Sequence, residues 1–168
     1  MSIDLRPWNR LSKEMKATGK FNPRGLDAHQ LLLDCIRGQA VVQWDENYTR
    51  VEAYGALEKC LSPWDCQIRK LYVSERYRAN GNGRGTIGSI VKRLMVVPGY
   101  TGFRYFAITS NHAVIEVLLN LNFRIANAHN RGVHNWPEEA GIADRLPRTA
   151  RGYDSDYAEG RKRWLLIN

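Results

Sequence analysis

One short stretch of sequence constrains the fold more than any other, because a strand pattern passes through a glycine-rich loop directly into a helix pattern. The stretch is LYVSERYRANGNGRGT, residues 71–86. It is preceded by the strand-like segment QIRKLYV, residues 67–73. The helix that follows carries one continuous apolar face, formed by Ile87, Ile90, Val91, Leu94 and Met95. This succession predicts an α/β fold.

The composition of the loop is suited to a phosphorylated ligand. Its three glycines let backbone N–H groups approach a ligand without an intervening Cβ. The start of the following helix adds N–H donors and a partial positive charge. Arg78 and Arg84 add full positive charges at the same place. A tight connection alone would need neither the three glycines nor the two arginines.

Two common phosphate-binding motifs fit this loop poorly. The Walker pattern is absent, because no Lys-Ser or Lys-Thr pair follows the glycines. The dinucleotide fingerprint matches at Gly83-x-Gly85-x-x-Gly88, but the loop lies in the middle of the chain. No acidic residue occurs between Glu75 and Glu116, where that fingerprint requires one about 20 residues on. The sequence therefore gives only weak support for a dinucleotide site.

Arg78-x-x-Gly81-x-Gly83 matches every fixed position of [RQ]-x-x-G-x-[GA], the cofactor motif of the GNAT acyltransferases. The sequence resembles that family further downstream, in the strand FRYFAIT (103–109), in Asn111 and in Asn122-Phe123. The resemblance covers about a third of the chain. It implies an α/β GNAT-type acyl-CoA N-acyltransferase fold, with a mixed central sheet flanked by helices.

The resemblance also implies acetyl-CoA, or another short acyl-CoA, as the cofactor. The backbone of the strand before the loop would hold the pantetheine arm, and the N–H of Val73 would polarise the thioester carbonyl. The loop would wrap the pyrophosphate, and Asn111 would lie near the end of the pantetheine. The implied cofactor-binding residues are Leu71, Tyr72, Val73, Arg78, Ala79, Asn80, Gly81, Asn82, Gly83, Arg84 and Asn111.

The sequence departs from the family at positions that matter for proton transfer. Leu118 stands where the family often has a tyrosine, and Gln67 where it often has a carboxylate. Val114 replaces the usual alanine, and Asn122 replaces the usual glycine. The general acid and the general base are therefore left open by the resemblance.

Several other residues are candidates for these two roles. Tyr72, Tyr153 and Tyr157 are candidates for the acid, and Glu52, Glu58 and Asp65 are candidates for the base. The predicted catalytic residues are Glu52, Tyr72 and Asn111.

The formal net charge of +8 favours a polyanionic partner. The predicted function is transfer of an acyl group from acetyl-CoA to an amine acceptor, on a nucleic acid, an aminoacyl-tRNA or a protein. No acidic run offers a surround for a polycationic substrate. Two alternatives remain: a catalytically degenerate binding protein on a GNAT scaffold, which would bind nucleic acid, and a GNAT-like enzyme that modifies DNA.

A chain of 168 residues predicts one domain, residues 1–168, with a cofactor-binding core at about 67–125. Three irregularly spaced cysteines and the lack of a long apolar segment predict a reduced, cytoplasmic protein with no membrane partner. His129 and His134 lack a third ligand, so we expect no metal site. A homodimer is left open.

The patterns also predict individual elements outside the central stretch. Residues 3–8 are predicted to form a strand that Pro7 ends, and Lys13 to Arg24 a loop or frayed helix. Further predicted elements are a helix from Asp27 to Gly38, strands at 40–44 and 48–57, a helix opened by Asn111, a strand from Phe123, a short helix at 138–146 and a closing strand at 164–167.

Overall fold

The computed structural model describes residues 2–59, 65–109, 111–127 and 164–167. Within these residues the chain forms five helices and six strands. The helices are α1 (Arg6–Ala17), α2 (Ala28–Ile36), α3 (Glu75–Ala79), α4 (Gly83–Leu94) and α5 (His112–Asn120). The strands are β1 (Ala40–Trp44), β2 (Val51–Lys59), β3 (Asp65–Val73), β4 (Arg104–Thr109), β5 (Arg124–Asn127) and β6 (Trp164–Ile167).

The six strands of the described residues form a mixed sheet in the order β1-β2-β3-β4-β6-β5. β1 and β2 are antiparallel, and β6 is antiparallel to both β4 and β5. β3 and β4 are parallel, in a ladder of three residue pairs that ends with Gln67 opposite Phe106. A parallel pair requires a crossover connection, and α3 and α4 provide it. The predicted mixed sheet flanked by helices is confirmed.

The chain divides into two compact units, and β2 and β3 each run from one unit into the other. The first unit comprises Met1–Ala56 with Lys70–Pro98, and the second comprises Leu57–Arg69 with Gly99–Asn168.

In the first unit, α1 and α2 cover one face of β2 and β3. Trp8, Leu11 and Met15 lie at helical spacing on the buried face of α1. They belong to a core cluster with Tyr54 of β2 and Tyr72 of β3. The face of the sheet that carries Tyr54 is therefore closed by the two N-terminal helices.

The opposite face of β2 is covered by α4. A Cβ on Gly55 would lie 2.6 Å from Ile90 Cγ2 and 3.0 Å from Leu94 Cδ1, so only a glycine permits this approach. Four residues of the predicted apolar face, Ile87, Ile90, Val91 and Leu94, are buried on this helix, whereas the fifth, Met95, is the C-cap and is half-buried. The close packing of this face on β2 fixes the helix that begins at the glycine-rich loop.

In the second unit, α5 begins at Asn111, whose side-chain oxygen accepts a hydrogen bond from the N–H of Ala113 at 3.0 Å. The predicted cap is therefore confirmed. The helix ends in a Schellman motif, because Asn122 N–H bonds to Leu119 O and Phe123 N–H bonds to Leu118 O, each at 3.0 Å.

The predicted N-terminal strand is wrong, because residues 6–17 form α1. Pro7 lies in the first turn of this helix, where its missing N–H has no intrahelical partner in any case. Of the two alternatives predicted for Lys13 to Arg24, a loop or a frayed helix, the helix is confirmed for residues 13–17, which form the end of α1. The loop prediction after Val73 was also incomplete, since the short helix α3 interrupts it.

Most of the other predicted elements are confirmed, with β2 beginning at Val51 instead of Tyr48. The helix predicted at 138–146 lies outside the described residues, as do His129, His134, Tyr153 and Tyr157. No helix in the described ranges is long and apolar enough to cross a membrane.

Candidate cofactor and catalytic site

The glycine-rich loop is a short turn between two helices of the first unit. α3 ends at Ala79 with Asn80 as its C-cap, Gly81 follows, and α4 begins after Asn82. The N–H of Asn82 bonds to Tyr77 O at 3.2 Å, and Thr86 bonds back to Asn82 O through both its N–H and its hydroxyl. These contacts fix the start of α4 within the turn.

Two glycines of the motif are required by local geometry. Gly81 has a φ of +77°, a left-handed conformation that residues with a Cβ adopt only with strain. A Cβ on Gly83 would lie 3.0 Å from Arg78 Cγ and 3.4 Å from Arg78 Cα, so this glycine lets α3 and α4 approach each other. Gly85 has open space around its Cβ position and no unusual φ. The motif positions 78, 81 and 83 therefore form one packed turn.

The surface of this turn is open and basic. Residues 78–82 and both Arg84 and Gly85 are exposed, and Gly83 is half-buried. In the described residues, the side chain of Asn82 makes no capping hydrogen bond to α4. The first turn of a helix presents N–H groups without intrahelical acceptors. The arrangement can therefore receive an anion at the start of α4, and the neighbouring Arg78 adds a positive charge to this turn.

β3 leads into this turn and carries an unusual residue. Lys70 has a φ of +56° in the middle of the strand. Val73, three residues later, is buried, and Leu71 is half-buried. The strand segment predicted to face the cofactor therefore follows a local break in the regular strand conformation.

Glu52 of β2 lies beside the junction of β3 and α3. Its side chain is fully buried, and Oε2 accepts a hydrogen bond from the hydroxyl of Ser74. The N–H of Ser74 also donates to the carbonyl oxygen of Glu52 at 2.8 Å. Ser74 occupies the N-cap position of α3, yet its side chain does not cap that helix. Its hydroxyl is instead directed to the buried carboxylate.

The second carboxylate oxygen of Glu52 faces Arg50. Arg50 Nε lies 3.7 Å from Glu52 Oε1, and in the described residues neither atom has a hydrogen-bond partner. Arg50 also donates to Glu14 Oε1 at 2.8 Å. A buried carboxylate oxygen with an ion-pair partner but no hydrogen bond retains the capacity to accept one.

Tyr72 contacts Glu14, the residue that pairs with Arg50. Its hydroxyl donates to Glu14 Oε2 at 3.0 Å, and its ring belongs to the core cluster under α1 and α2. Burial, followed by the negative charge of Glu14, raises the pKa of the Tyr72 hydroxyl. The structure thus joins Tyr72 to Glu52 through Glu14 and Arg50, but it gives the Tyr72 side chain a place in the core.

The remaining catalytic candidates lie in the second unit. Asn111 is exposed, and its side-chain oxygen is engaged in capping α5. Leu118 is fully buried, and Gln67 is buried within the β3–β4 ladder. Glu58 forms an ion pair with Arg69. The side chain of Asp65 lies outside the described part of the chain.

Ser74, Arg50 and Glu14 were not predicted as site residues. Arg50 could have been found from the sequence, because residues two positions apart in a strand point to the same face, and Glu52 is two positions after Arg50. The contact of Glu14 with Arg50 joins residues 36 positions apart, and no local pattern predicts it. Among the described residues, no group of three His, Cys, Asp or Glu side chains is arranged to hold a metal ion.

Comparison with known proteins gives similarity at the level of structure only. No protein-family model matches this sequence, and no curated protein sequence matches it. The diaminobutyrate acetyltransferase of Paenibacillus lautus, solved with its substrate and coenzyme A, is 14% identical and has a TM-score of 0.63. The match covers 99% of this chain and 91% of that one.

Two further matches are described as GNAT proteins. A phosphinothricin acetyltransferase from Sinorhizobium meliloti, in complex with acetyl-CoA, is 14% identical with a TM-score of 0.60, over 100% of this chain and 85% of that one. An acetyltransferase from Bacillus anthracis is 9% identical with a TM-score of 0.57, over 99% and 90%. The chain therefore has the fold of the GNAT acetyltransferases.

Proposed function

We propose that this protein is an acyl-CoA-dependent N-acyltransferase that moves an acetyl group, or another short acyl group, to an amine. The observation that carries the proposal is the packed turn of Arg78, Gly81 and Gly83 at the start of α4. Both glycines are required by the backbone or by packing, and the surface of the turn is exposed and basic. Solved proteins of the same fold are complexes with coenzyme A or acetyl-CoA.

The residues of the turn fit the pyrophosphate of CoA. The N-terminus of α4 would supply backbone donors and a partial positive charge, and Arg78 would supply a full one. The backbone of Leu71, Tyr72 and Val73 would hold the pantetheine arm, because this part of β3 lies beyond the last residue pair of the β3–β4 ladder. The N–H of Val73 would face the acyl carbonyl oxygen. The full cofactor-binding set is the one implied by the resemblance, residues 71–73, 78–84 and Asn111.

When bound, acetyl-CoA supplies a thioester whose acyl group passes to the amine with release of the CoA thiol. The amine must lose a proton, and we propose Glu52 Oε1 as its destination. This oxygen has no hydrogen-bond partner among the described residues, whereas Oε2 is held by Ser74. Since Glu52 is fully buried, the proton would reach it through an intervening water.

Tyr72 contributes to this proposal through its backbone alone. Its hydroxyl is committed to Glu14 within the core, and burial raises its pKa, which makes it a poorer acid. The role of the acid that protonates the leaving thiolate is therefore not assigned to Tyr72. For Asn111 we retain a position near the pantetheine arm, since its side-chain oxygen already caps α5.

The acceptor that we propose is an amine on a polyanion, such as an aminoacyl-tRNA or another nucleic acid, with a protein amine as the alternative. The net charge of +8 supports the polyanion, because a positive protein concentrates such partners near its surface. Acceptor screening with labelled acetyl-CoA should therefore begin with aminoacylated tRNA and total RNA, followed by peptides.

A second candidate is a CoA-binding protein of this fold that does not transfer acyl groups. The full burial of Leu118, where the family often has tyrosine, favours it. Both candidates bind acetyl-CoA, and only the first consumes it in the presence of an acceptor. Release of free thiol with each member of the acceptor screen distinguishes them.

The site is tested by calorimetric titration of acetyl-CoA into the protein, with NAD as the negative control. We expect wild-type protein to bind acetyl-CoA with micromolar affinity, and Gly81→Ala to lose most of that affinity. Gly38→Ala is the matched control, because Gly38 also has a left-handed φ, +67°, and open space at its Cβ position. If folded wild-type protein does not bind acetyl-CoA, or if both variants bind alike, the assignment of the turn is overturned.

A further inference from the structure

Lys70 has a backbone conformation that residues with a Cβ rarely adopt. Its φ of +56° lies in the left-handed region, within a strand. Glycine adopts this conformation without strain, and asparagine and aspartate accept it more readily than other residues with a Cβ, such as lysine. Such residues persist only where the surrounding structure holds them, and they occur often at functional sites.

An ion pair holds the Lys70 side chain from α2. Lys70 Nζ lies 2.8 Å from Asp34 Oδ2, and both side chains are largely buried. Gly25 lies beside this contact, and a Cβ there would be in ordinary van der Waals contact with Lys70 Nζ, at 3.7 Å. The pair therefore joins the strained residue of β3 to a helix that is itself part of the core.

The Asp34 carboxylate is in turn fixed by two neutral donors. Gln30 Nε2 donates to Oδ1 at 2.7 Å, and the Tyr54 hydroxyl donates to Oδ2 at 3.2 Å. Tyr54 is fully buried in β2. A buried ion pair adds little net stability compared with an apolar pair, because both charges are desolvated. The effect of the pair on the backbone conformation of β3 is therefore a better explanation for its presence than its contribution to stability.

The left-handed residue lies just before the strand segment that the proposed function assigns to the cofactor. The ladder with β4 ends at Gln67, and Leu71–Val73 follow Lys70 directly. A left-handed residue within a strand interrupts the regular strand conformation and so changes the direction of the backbone groups that follow it. The direction of the N–H groups of Leu71–Val73 therefore depends on the conformation at Lys70.

We propose that Asp34 is a positioning residue that, through its ion pair with Lys70, holds β3 in the conformation that presents Leu71–Val73 to the acyl-CoA. This inference rests on the proposed function. It predicts that the need for the ion pair disappears when residue 70 is one that adopts a left-handed φ without strain.

The decisive comparison is Lys70→Ala with Lys70→Gly. Neither variant can form the ion pair, and both leave Gln30 and Tyr54 on Asp34. We expect Lys70→Ala to weaken acetyl-CoA binding by about tenfold, the factor that corresponds to the strain of one unsupported left-handed residue. Lys70→Gly should bind within about twofold of wild type, because glycine keeps the left-handed conformation unaided.

Asp34→Asn completes the cycle. Alone it should weaken binding as Lys70→Ala does, and in the Lys70→Gly background it should have no further effect. Leu11→Ala, which removes a fully buried side chain of α1, should lower the melting temperature without changing the affinity. If alanine and glycine at position 70 bind alike, or if Asp34→Asn acts equally in both backgrounds, the ion pair is merely structural and the proposal is overturned.

A ligand-free readout separates this inference from the proposed function. Amide hydrogen exchange of Leu71–Val73 should rise in Lys70→Ala and Asp34→Asn and return to the wild-type rate in Lys70→Gly. If this exchange pattern is observed but wild-type protein does not bind acetyl-CoA, Asp34 still positions β3, and the cofactor assignment is wrong. An unchanged exchange pattern with normal acetyl-CoA binding overturns the positioning role alone.

Discussion

The hydroxyl of Ser74 hydrogen-bonds to a carboxylate oxygen of Glu52 that solvent does not reach. The backbone repeats the connection, with the N–H of Ser74 donating to the Glu52 carbonyl at 2.8 Å. Ser74 is the residue at which β3 ends and α3 begins. The buried carboxylate therefore holds the chain where it enters the basic turn.

Replacing Ser74 with alanine should destabilise the fold. The variant leaves Glu52 Oε2 buried without its donor, and an unsatisfied buried polar group costs about 1–3 kcal/mol. Urea unfolding measures the loss. Ser89→Ala, on the exposed side of α4, is the control and should change stability by no more than about 0.5 kcal/mol. Equal effects of the two substitutions would contradict the role given to the Ser74 hydroxyl.

Glu52→Gln tests the proposed proton acceptor. Glutamine can still accept the Ser74 hydrogen bond through its amide oxygen, but it cannot take a proton from the amine. Once an acceptor is in hand, kcat should fall by about 100-fold or more, with the acetyl-CoA Kd unchanged. Glu58→Gln should leave kcat near wild type, since Glu58 pairs with Arg69. A variant of Glu52 with full kcat would exclude it as the base.

The fold was predictable where the sequence signal is local. The strand, turn and helix around residues 71–94 follow from alternation, glycines and one apolar stripe. α1 is harder to predict, because Pro7 also suits the end of a strand, although Trp8, Leu11 and Met15 have helical spacing. α3 is hard to predict for another reason: none of its residues is buried, so it leaves no hydrophobic pattern.

The site was predictable in the same uneven way. Its glycines and Arg78 belong to one contiguous motif and could be named from the sequence. Arg50 and Glu14 meet only because α1 packs beside the start of β2, which is a tertiary contact. The left-handed φ of Lys70 was equally hidden, because a lysine gives no sign of that conformation in sequence.

Arg78 should contribute to acetyl-CoA affinity through its charge. Loss of a hydrogen bond to a charged group costs about 1.5–3 kcal/mol, so Arg78→Ala should raise the Kd by about tenfold or more. The effect should shrink at high salt, because this exposed guanidinium is screened. Arg37→Ala, an exposed arginine at the end of α2, controls for net charge. An equal rise in Kd for both would assign the effect to the overall charge.

Gly55 should be intolerant of any side chain because α4 lies against it. Its Cβ would meet Ile90 Cγ2 at 2.6 Å, and overpacking of this kind costs about 1–3 kcal/mol. The clash should be relieved in part by Ile90→Ala, which removes the Cγ2 atom. Denaturant unfolding should be measured for Gly55→Ala, Ile90→Ala and the double variant. The double variant should lose less unfolding free energy than the sum of the losses in the two single variants. Strict additivity would mean that the two residues do not meet.

Asn122 stands where the GNAT pattern usually has glycine, and the structure explains why asparagine is accepted there. Its φ is +65°, and its N–H and that of Phe123 complete the Schellman motif at the end of α5. Asparagine is one of the few residues besides glycine that accept this conformation. Asn122→Ala should therefore destabilise the protein by roughly 1–2 kcal/mol, while Asn122→Gly should keep or raise its stability. Thermal unfolding of the pair decides the point, because a loss of backbone geometry separates alanine from glycine, whereas a loss of asparagine side-chain contacts would lower both alike.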